Sequence, residues 1–136
     1  MRCALVLALL TPVAASAGSF QIECPATLMV KSTAAAPSGW QIVESPEPHV
    51  LDHVGLYRGN PSDLQSSVPE TTDERQGRSK DVWTFDATEK MWAACFYTGT
   101  SLFTAMPVPQ GVTRCEALYG SPRKGEKSGL IAARCE

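Results

Sequence analysis

The chain has 136 residues, 43% of them hydrophobic and 19% charged, with a formal net charge of −2. That length suits one domain and not two. The charge is mildly acidic and mixed in sign, with no basic patch able to neutralise several phosphates, which argues against nucleic acid as a partner.

The first element is a leader. MRCALVLALLTPVAASAGSF carries Arg2 as a short positive start, an unbroken apolar run from Ala4 to Leu10, the helix breaker Pro12, and Ala15-Ser16-Ala17 in the small-x-small form of a signal-peptidase site. The pattern predicts a signal peptide over 1–17, cleaved after Ala17, and a single β-rich, disulfide-bonded domain over 18–136. The apolar run, even extended to Ala17, is shorter than the roughly 20 residues that span a bilayer. No other stretch approaches that length, so no membrane span is expected in the mature chain. Cys24 follows Gln21-Ile22-Glu23, which is not a lipoprotein site. Export points to a bacterial periplasm, or to secretion.

Cys3 leaves with the leader. Cys24, Cys95, Cys115 and Cys135 remain, and an even number in an exported chain predicts two disulfides. Structural zinc sites carry close pairs such as C-x-x-C. The last three cysteines here stand 20 residues apart and Cys24 is 71 residues from the next, so the spacing does not suit zinc.

Beyond the leader, β-type runs dominate. Ile22 to Lys31 is a candidate strand, and WQIVE from Trp40 to Glu44 a second. ESPEPHV follows, whose two prolines exclude a central strand. His53 to Tyr57 reads as a third strand, and Pro61 to Gln65 as a single helical turn, since proline suits the first helical position. The polar run Ser66 to Asp81 reads as a long exposed loop, a length that is usually functional or disordered. Strands are then expected at Val82–Asp86, Met91–Thr98, Thr100–Met106, Val112–Tyr119 and Gly129–Cys135, the last two joined by a charged loop over 120–128. Seven or eight short strands punctuated by turn signals predict an all-β fold, an antiparallel sandwich or small barrel.

In MWAACFYT the side chains alternate, with Trp92, Ala94, Phe96 and Thr98 on one face and Met91, Ala93, Cys95 and Tyr97 on the other. Both faces are apolar, which predicts a central strand covered on both sides. Cys95 is then an inert buried thiol or half of a bridge, and export favours the bridge. Four cysteines allow three connectivities. A hairpin about the 120–128 loop has its midpoint at residue 125, which sets Cys115 opposite Cys135 with Cα atoms about 4.5 Å apart in a non-hydrogen-bonded pair. Cys24 would then take Cys95.

Reactive groups are scarce. His49 and His53 in PHVLDHV would share a strand face, but with Cα atoms about 13 Å apart they could not hold one ion. No G-x-S-x-G elbow presents a serine, no C-x-x-C offers a redox thiol, and no glycine-rich phosphate loop is present. No catalytic residue, metal site or cofactor is expected. Nearly all aromatic residues fall inside expected strands and read as core rather than as a ligand platform. The exposed charges that remain as candidate partner contacts are Glu70, Asp73 and Glu74 in the 66–81 loop, and Arg123, Lys124 and Lys127 at the tip of the 120–128 loop.

Several segments together form a familiar pattern: Cys24-Pro25, Gly39-Trp40, V-G-L-Y-x-G-x-P from Val54 to Pro61, W-x-x-C-x-Y-x-x-T from Trp92 to Thr100, Met106-Pro107 and a terminal Cys135. The pattern resembles a family of small exported proteobacterial proteins named after an uncharacterised Salmonella Typhi reading frame. That resemblance implies a signal peptide, disulfides, a β-rich domain and no assigned enzyme activity. The chain also looks broadly like the small exported inhibitors and immunity proteins that protect bacterial envelopes. The reading is therefore an exported non-enzymatic binding protein, an inhibitor or immunity protein whose partner is a toxin or wall-acting enzyme. An envelope-maintenance protein and a carboxylate-based hydrolase are the alternatives. A pocket holding two carboxyl groups roughly 5–9.5 Å apart would mark the hydrolase.

Overall fold

The computed structural model describes residues 18–31, 33, 35–43, 47–75, 77–121 and 129–136. The leader and its cleavage site, and the loop tip 122–128 with Arg123, Lys124 and Lys127, lie outside the described residues. Among the described residues ten strands follow in chain order. They are β1 (Phe20–Gln21), β2 (Thr27–Leu28), β3 (His49–Arg58), β4 (Ser66–Ser67), β5 (Thr71–Arg75), β6 (Arg78–Thr84), β7 (Met91–Tyr97), β8 (Phe103–Pro107), β9 (Arg114–Gly120) and β10 (Leu130–Cys135). A single 3₁₀ turn over Pro61–Asp63 follows β3. Asn60 caps it, its side-chain carbonyl accepting from the Ser62 N–H at 3.0 Å.

The strands form two antiparallel sheets, not a closed barrel. The first runs β1-β10-β9-β6-β5 and the second β2-β3-β7-β8, with β4 added to β3. Between them lies one core, in which β3 and β7 give Val54, Leu56, Met91, Ala93, Cys95 and Tyr97. The first sheet answers with Trp83, Cys115, Ala117, Ala133 and Cys135. Alternation along each strand produces this division. Two contacts tie the sheets at polar atoms. The Trp83 indole N–H donates to the Ser67 carbonyl at 3.0 Å. The Tyr119 hydroxyl accepts from the Val54 N–H at 3.1 Å and donates to its carbonyl at 3.3 Å.

Both bridges form with the expected pairing, Cys24–Cys95 and Cys115–Cys135. The hairpin register sets Cys135 opposite Cys115, as the midpoint argument requires. The Cα atoms of that pair are 4.0 Å apart. Cys115 and Cys135 are almost fully buried, so this bridge belongs to the core.

Several expected elements differ. Ile22–Lys31 is not one strand: β1 pairs with β10 in the first sheet and β2 with β3 in the second, so this segment passes between the sheets. Pro25, which lacks a donor N–H, and the bridge at Cys24 occupy the crossing. Trp40–Val43 form no strand, and Glu44 lies outside the described residues. A turn in which the Trp40 N–H donates to the Pro37 carbonyl precedes this segment. Among the described residues it pairs with no strand, and a strand needs a neighbour more than it needs propensity. The central strand β3 starts at His49, directly after Pro48 and four residues before the expected His53.

The largest correction concerns 66–81. This polar run contains β4, β5 and the start of β6, and β5–β6 is a regular hairpin from Thr71↔Val82 to Arg75↔Arg78. Every residue of β5 is exposed. Backbone pairing, not burial, makes it a strand, and an edge strand rich in charge is how sheets blunt an open edge. Gly77, at φ 73°, supplies the left-handed residue that the turn needs.

The strand β7 is central, flanked by β3 and β8. Its inner face is buried as expected. Its outer face is not covered by a further layer among the described residues: Ala94 is buried, but Trp92 and Phe96 are half-exposed.

Candidate functional site

Two surfaces differ sharply in chemistry. On the outer face of the first sheet charge dominates. Glu116 sits at its centre and takes Lys80 Nζ at 2.7 Å, Arg134 Nη2 at 2.6 Å and Arg114 Nη2 at 3.2 Å. Arg114 also reaches Glu136 at 3.0 Å. The hydrogen bond from Lys80 holds the Glu116 carboxyl below its ordinary range, aided by Arg134 and opposed by partial burial. This is the solvated face that an antiparallel sheet normally presents.

The hairpin β5–β6 continues that sheet to its edge. Asp73 accepts from Arg75 Nε at 3.1 Å. Glu70 accepts from the Thr84 hydroxyl. Thr72 donates to Asp81 at 2.9 Å across the two strands. Asp73 and Glu74 thus lie in the edge strand β5 rather than in a loop, with Glu70 just before it, and all three are exposed. An open cleft of about 490 Å³ lies beside the hairpin end, lined by Glu74, Arg75, Arg78, Ser79 and Tyr119 among others. Among the described residues Glu74 is the one carboxylate that lines it.

The outer face of the second sheet is built differently. Register across β3, β7 and β8 aligns His53, Phe96 and Phe103 in one row. Gly55, Ala94 and Ala105 form the next row, and Tyr57, Trp92 and Pro107 the third. No Asp, Glu, Lys or Arg occurs in these three rows. The rings pack on one another: His53 stacks on Phe96 with centroids 4.6 Å apart, Phe96 meets Phe103 at 5.1 Å, and Phe103 stacks on Tyr57 at 5.4 Å. The small row makes room for them. A Cβ at Gly55 would stand 2.9 Å from Phe96 Cε2, so that ring lies directly over the glycine.

A bulge in β3 places His53 in this row. Leu51 pairs with Tyr97 and His53 with Phe96, so Asp52 is the extra residue. Leu51 and His53 consequently lie on opposite faces, which overturns the simple alternation expected for PHVLDHV. His49 Nδ1 lies 2.8 Å from the Thr98 carbonyl oxygen, and His53 Nδ1 lies 2.9 Å from Asp52. Sequence reasoning assigned these aromatic residues to the core. The signal that could have separated them was the alternation in β7 itself, where Trp92 and Phe96 fall opposite the bridged Cys95.

No helix among the described residues is long and apolar enough to cross a membrane. Comparison with known proteins adds a family. The model of a family described as type VI secretion system Tli immunity protein matches residues 45–136, from just before β3 to the end of the chain. No curated protein and no solved structure matches the chain. The match does not carry the resemblance to the Salmonella-named family. It does cover more than half of the chain, including β3 to β10, both outer faces and three of the four bridged cysteines. The chain belongs to the family of type VI secretion system Tli immunity proteins.

Proposed function

We propose that this protein is exported to the periplasm and neutralises an envelope-acting toxin of a type VI secretion system by binding it, without catalysis and without a cofactor. The observation that carries this reading is the family match over 45–136. Two disulfides support it, because such bonds persist in an oxidising compartment and not in the cytosol. In this reading residues 1–17 direct export and are cleaved after Ala17, and 18–136 act as one domain. A rigid, bridged scaffold suits recognition by surfaces.

The acidic edge at Glu70, Asp73 and Glu74 serves to steer a toxin of opposite charge during approach, an effect of long range that needs no final contact. The basic tip residues Arg123, Lys124 and Lys127 form a second charged contact in the same scheme. Direct testing is straightforward. Each toxin encoded beside this gene is expressed in the periplasm of a susceptible host. Survival is expected with the full chain and not with a version lacking 1–17, which stays in the reducing cytosol. Failure of the full chain to protect against any of these toxins would refute the reading.

A further inference from the structure

Antiparallel sheets that face water on one side carry polar residues there. The first sheet obeys this rule, and its outer face is locked by ion pairs around Glu116. The second sheet breaks it. Its three outer rows hold four aromatic residues, one histidine, one proline and three small residues, with no Asp, Glu, Lys or Arg. The His53 side chain is 52% exposed, Ala105 and Pro107 are exposed, and Trp92, Phe96 and Phe103 are half-exposed. An uncharged aromatic cluster of this kind has the composition of an interface centre, rich in Trp, Tyr and Phe and poor in charge.

We infer that the outer face of β3, β7 and β8, centred on Phe96, Phe103 and Ala105, is the surface that holds the toxin, and that the toxin meets it with an uncharged apolar patch. This rests on the immunity reading proposed above. Two observations favour this occupant. The whole face falls inside residues 45–136, which match the family, whereas the exposed Trp40-Gln41-Ile42-Val43 segment falls outside them. Complementarity of charge also decides between the two sheets. Covering the first would strip water from Lys80, Arg114, Glu116 and Arg134, a cost that pairing seldom recovers in full. Covering the second buries rings already stacked; none of its three rows carries a permanent charge, and the adjacent Asp52 is paired with His53. Steering by the acidic edge and holding by the aromatic face then act on different rate constants, association for the one and dissociation for the other.

The test uses two matched substitutions. Ala105→Glu places a carboxylate in the middle row of the aromatic face. Ala132→Glu places one on the outer face of the first sheet, where Ala132 pairs with Leu118 and is likewise exposed. The purified, oxidised proteins are titrated with the toxin from the neighbouring gene by calorimetry, with thermal melts alongside. His53→Glu provides a second variant at a different exposed position should Ala105→Glu fail to fold. We expect Ala105→Glu and His53→Glu to weaken binding roughly 30-fold or more, as at an interface hot spot, and Ala132→Glu to change it less than about threefold. Wild-type binding that both face variants retain would overturn the assignment of the face and leave the immunity reading standing. So would a wild-type dimer in light scattering that either face variant abolishes without affecting toxin binding, since the face would then serve a second copy. A wild-type protein that binds none of the neighbouring toxins would overturn the reading beneath it.

Discussion

The hydroxyl of Tyr119 stands in for a missing strand. On the side of β3 away from β7, β2 pairs at His49 and Val50 and β4 at Leu56 and Tyr57, with no strand between them. Val54 lies in that gap and is 2% exposed. Its N–H and C=O both turn to the Tyr119 hydroxyl, at 3.1 and 3.3 Å. Tyr119→Phe keeps the ring and removes both bonds. A buried backbone group left without a partner costs about 1–3 kcal/mol, and water entering through the gap moves the sum toward the low end, about 2 kcal/mol for the pair. For a domain of this size that is roughly 6–10 °C in Tm. Urea unfolding followed by tryptophan fluorescence, with the bridges intact, measures it by linear extrapolation.

The same substitution has a signature in pH. Burial pushes the Tyr119 phenol up to about 12 from 10.0. The folded value lies above the unfolded one, so this stabilisation is complete below about pH 10 and is lost as pH rises toward 12. Two pH units correspond to at most about 2.7 kcal/mol, and the ring's partial exposure reduces this to about 1 kcal/mol. The advantage of the wild-type protein over Tyr119→Phe should therefore shrink between pH 10 and 12. Equal urea midpoints at pH 8, or stability curves that stay parallel across the alkaline range, would refute the role given to the hydroxyl.

Removing the bridges tests what they contribute. The chain-entropy relation gives about 4.4 kcal/mol for the bridge of separation 71 and about 3.3 kcal/mol for that of separation 20. Cys24→Ala with Cys95→Ala should therefore lower Tm more than Cys115→Ala with Cys135→Ala, and the reverse order in calorimetry would show that core packing outweighs loop closure. Glu116→Gln should be less stable than wild type at pH 7. The Glu116 carboxyl is held below its ordinary value by Lys80 first and Arg134 next, so its contribution is present above about pH 4.5 and lost as pH falls through the folded value. Thermal melts from pH 7 to pH 3 should show the two proteins converging, and a constant difference would count against the ion-pair hub.

Much of this fold could be read along the chain, and the misses share a cause. Met91–Tyr97 and the Cys115–Cys135 hairpin were legible because alternation and turn spacing are local properties that set side-chain direction and register. The hairpin β5–β6 was not, because its strands are held by backbone pairing while its side chains stay in water. Trp40–Val43 misled in the other direction: these strand-like residues pair with no strand among the described residues. The acidic residues Glu70, Asp73 and Glu74 were correctly placed at the surface. The aromatic face was missed because aromatic residues in strands read as core.

By itself the sequence determined the two-residue periodicity of the strands and the opposition of Cys115 and Cys135. Those are questions of which residue follows which. Only the tertiary structure decided which apolar face of β7 meets the other sheet and which meets solvent. A strand with two apolar faces carries no mark of its own for the difference. It is settled by the strands that β3 and β9 bring alongside and across the core, and by the bulge at Asp52 that turns His53 outward.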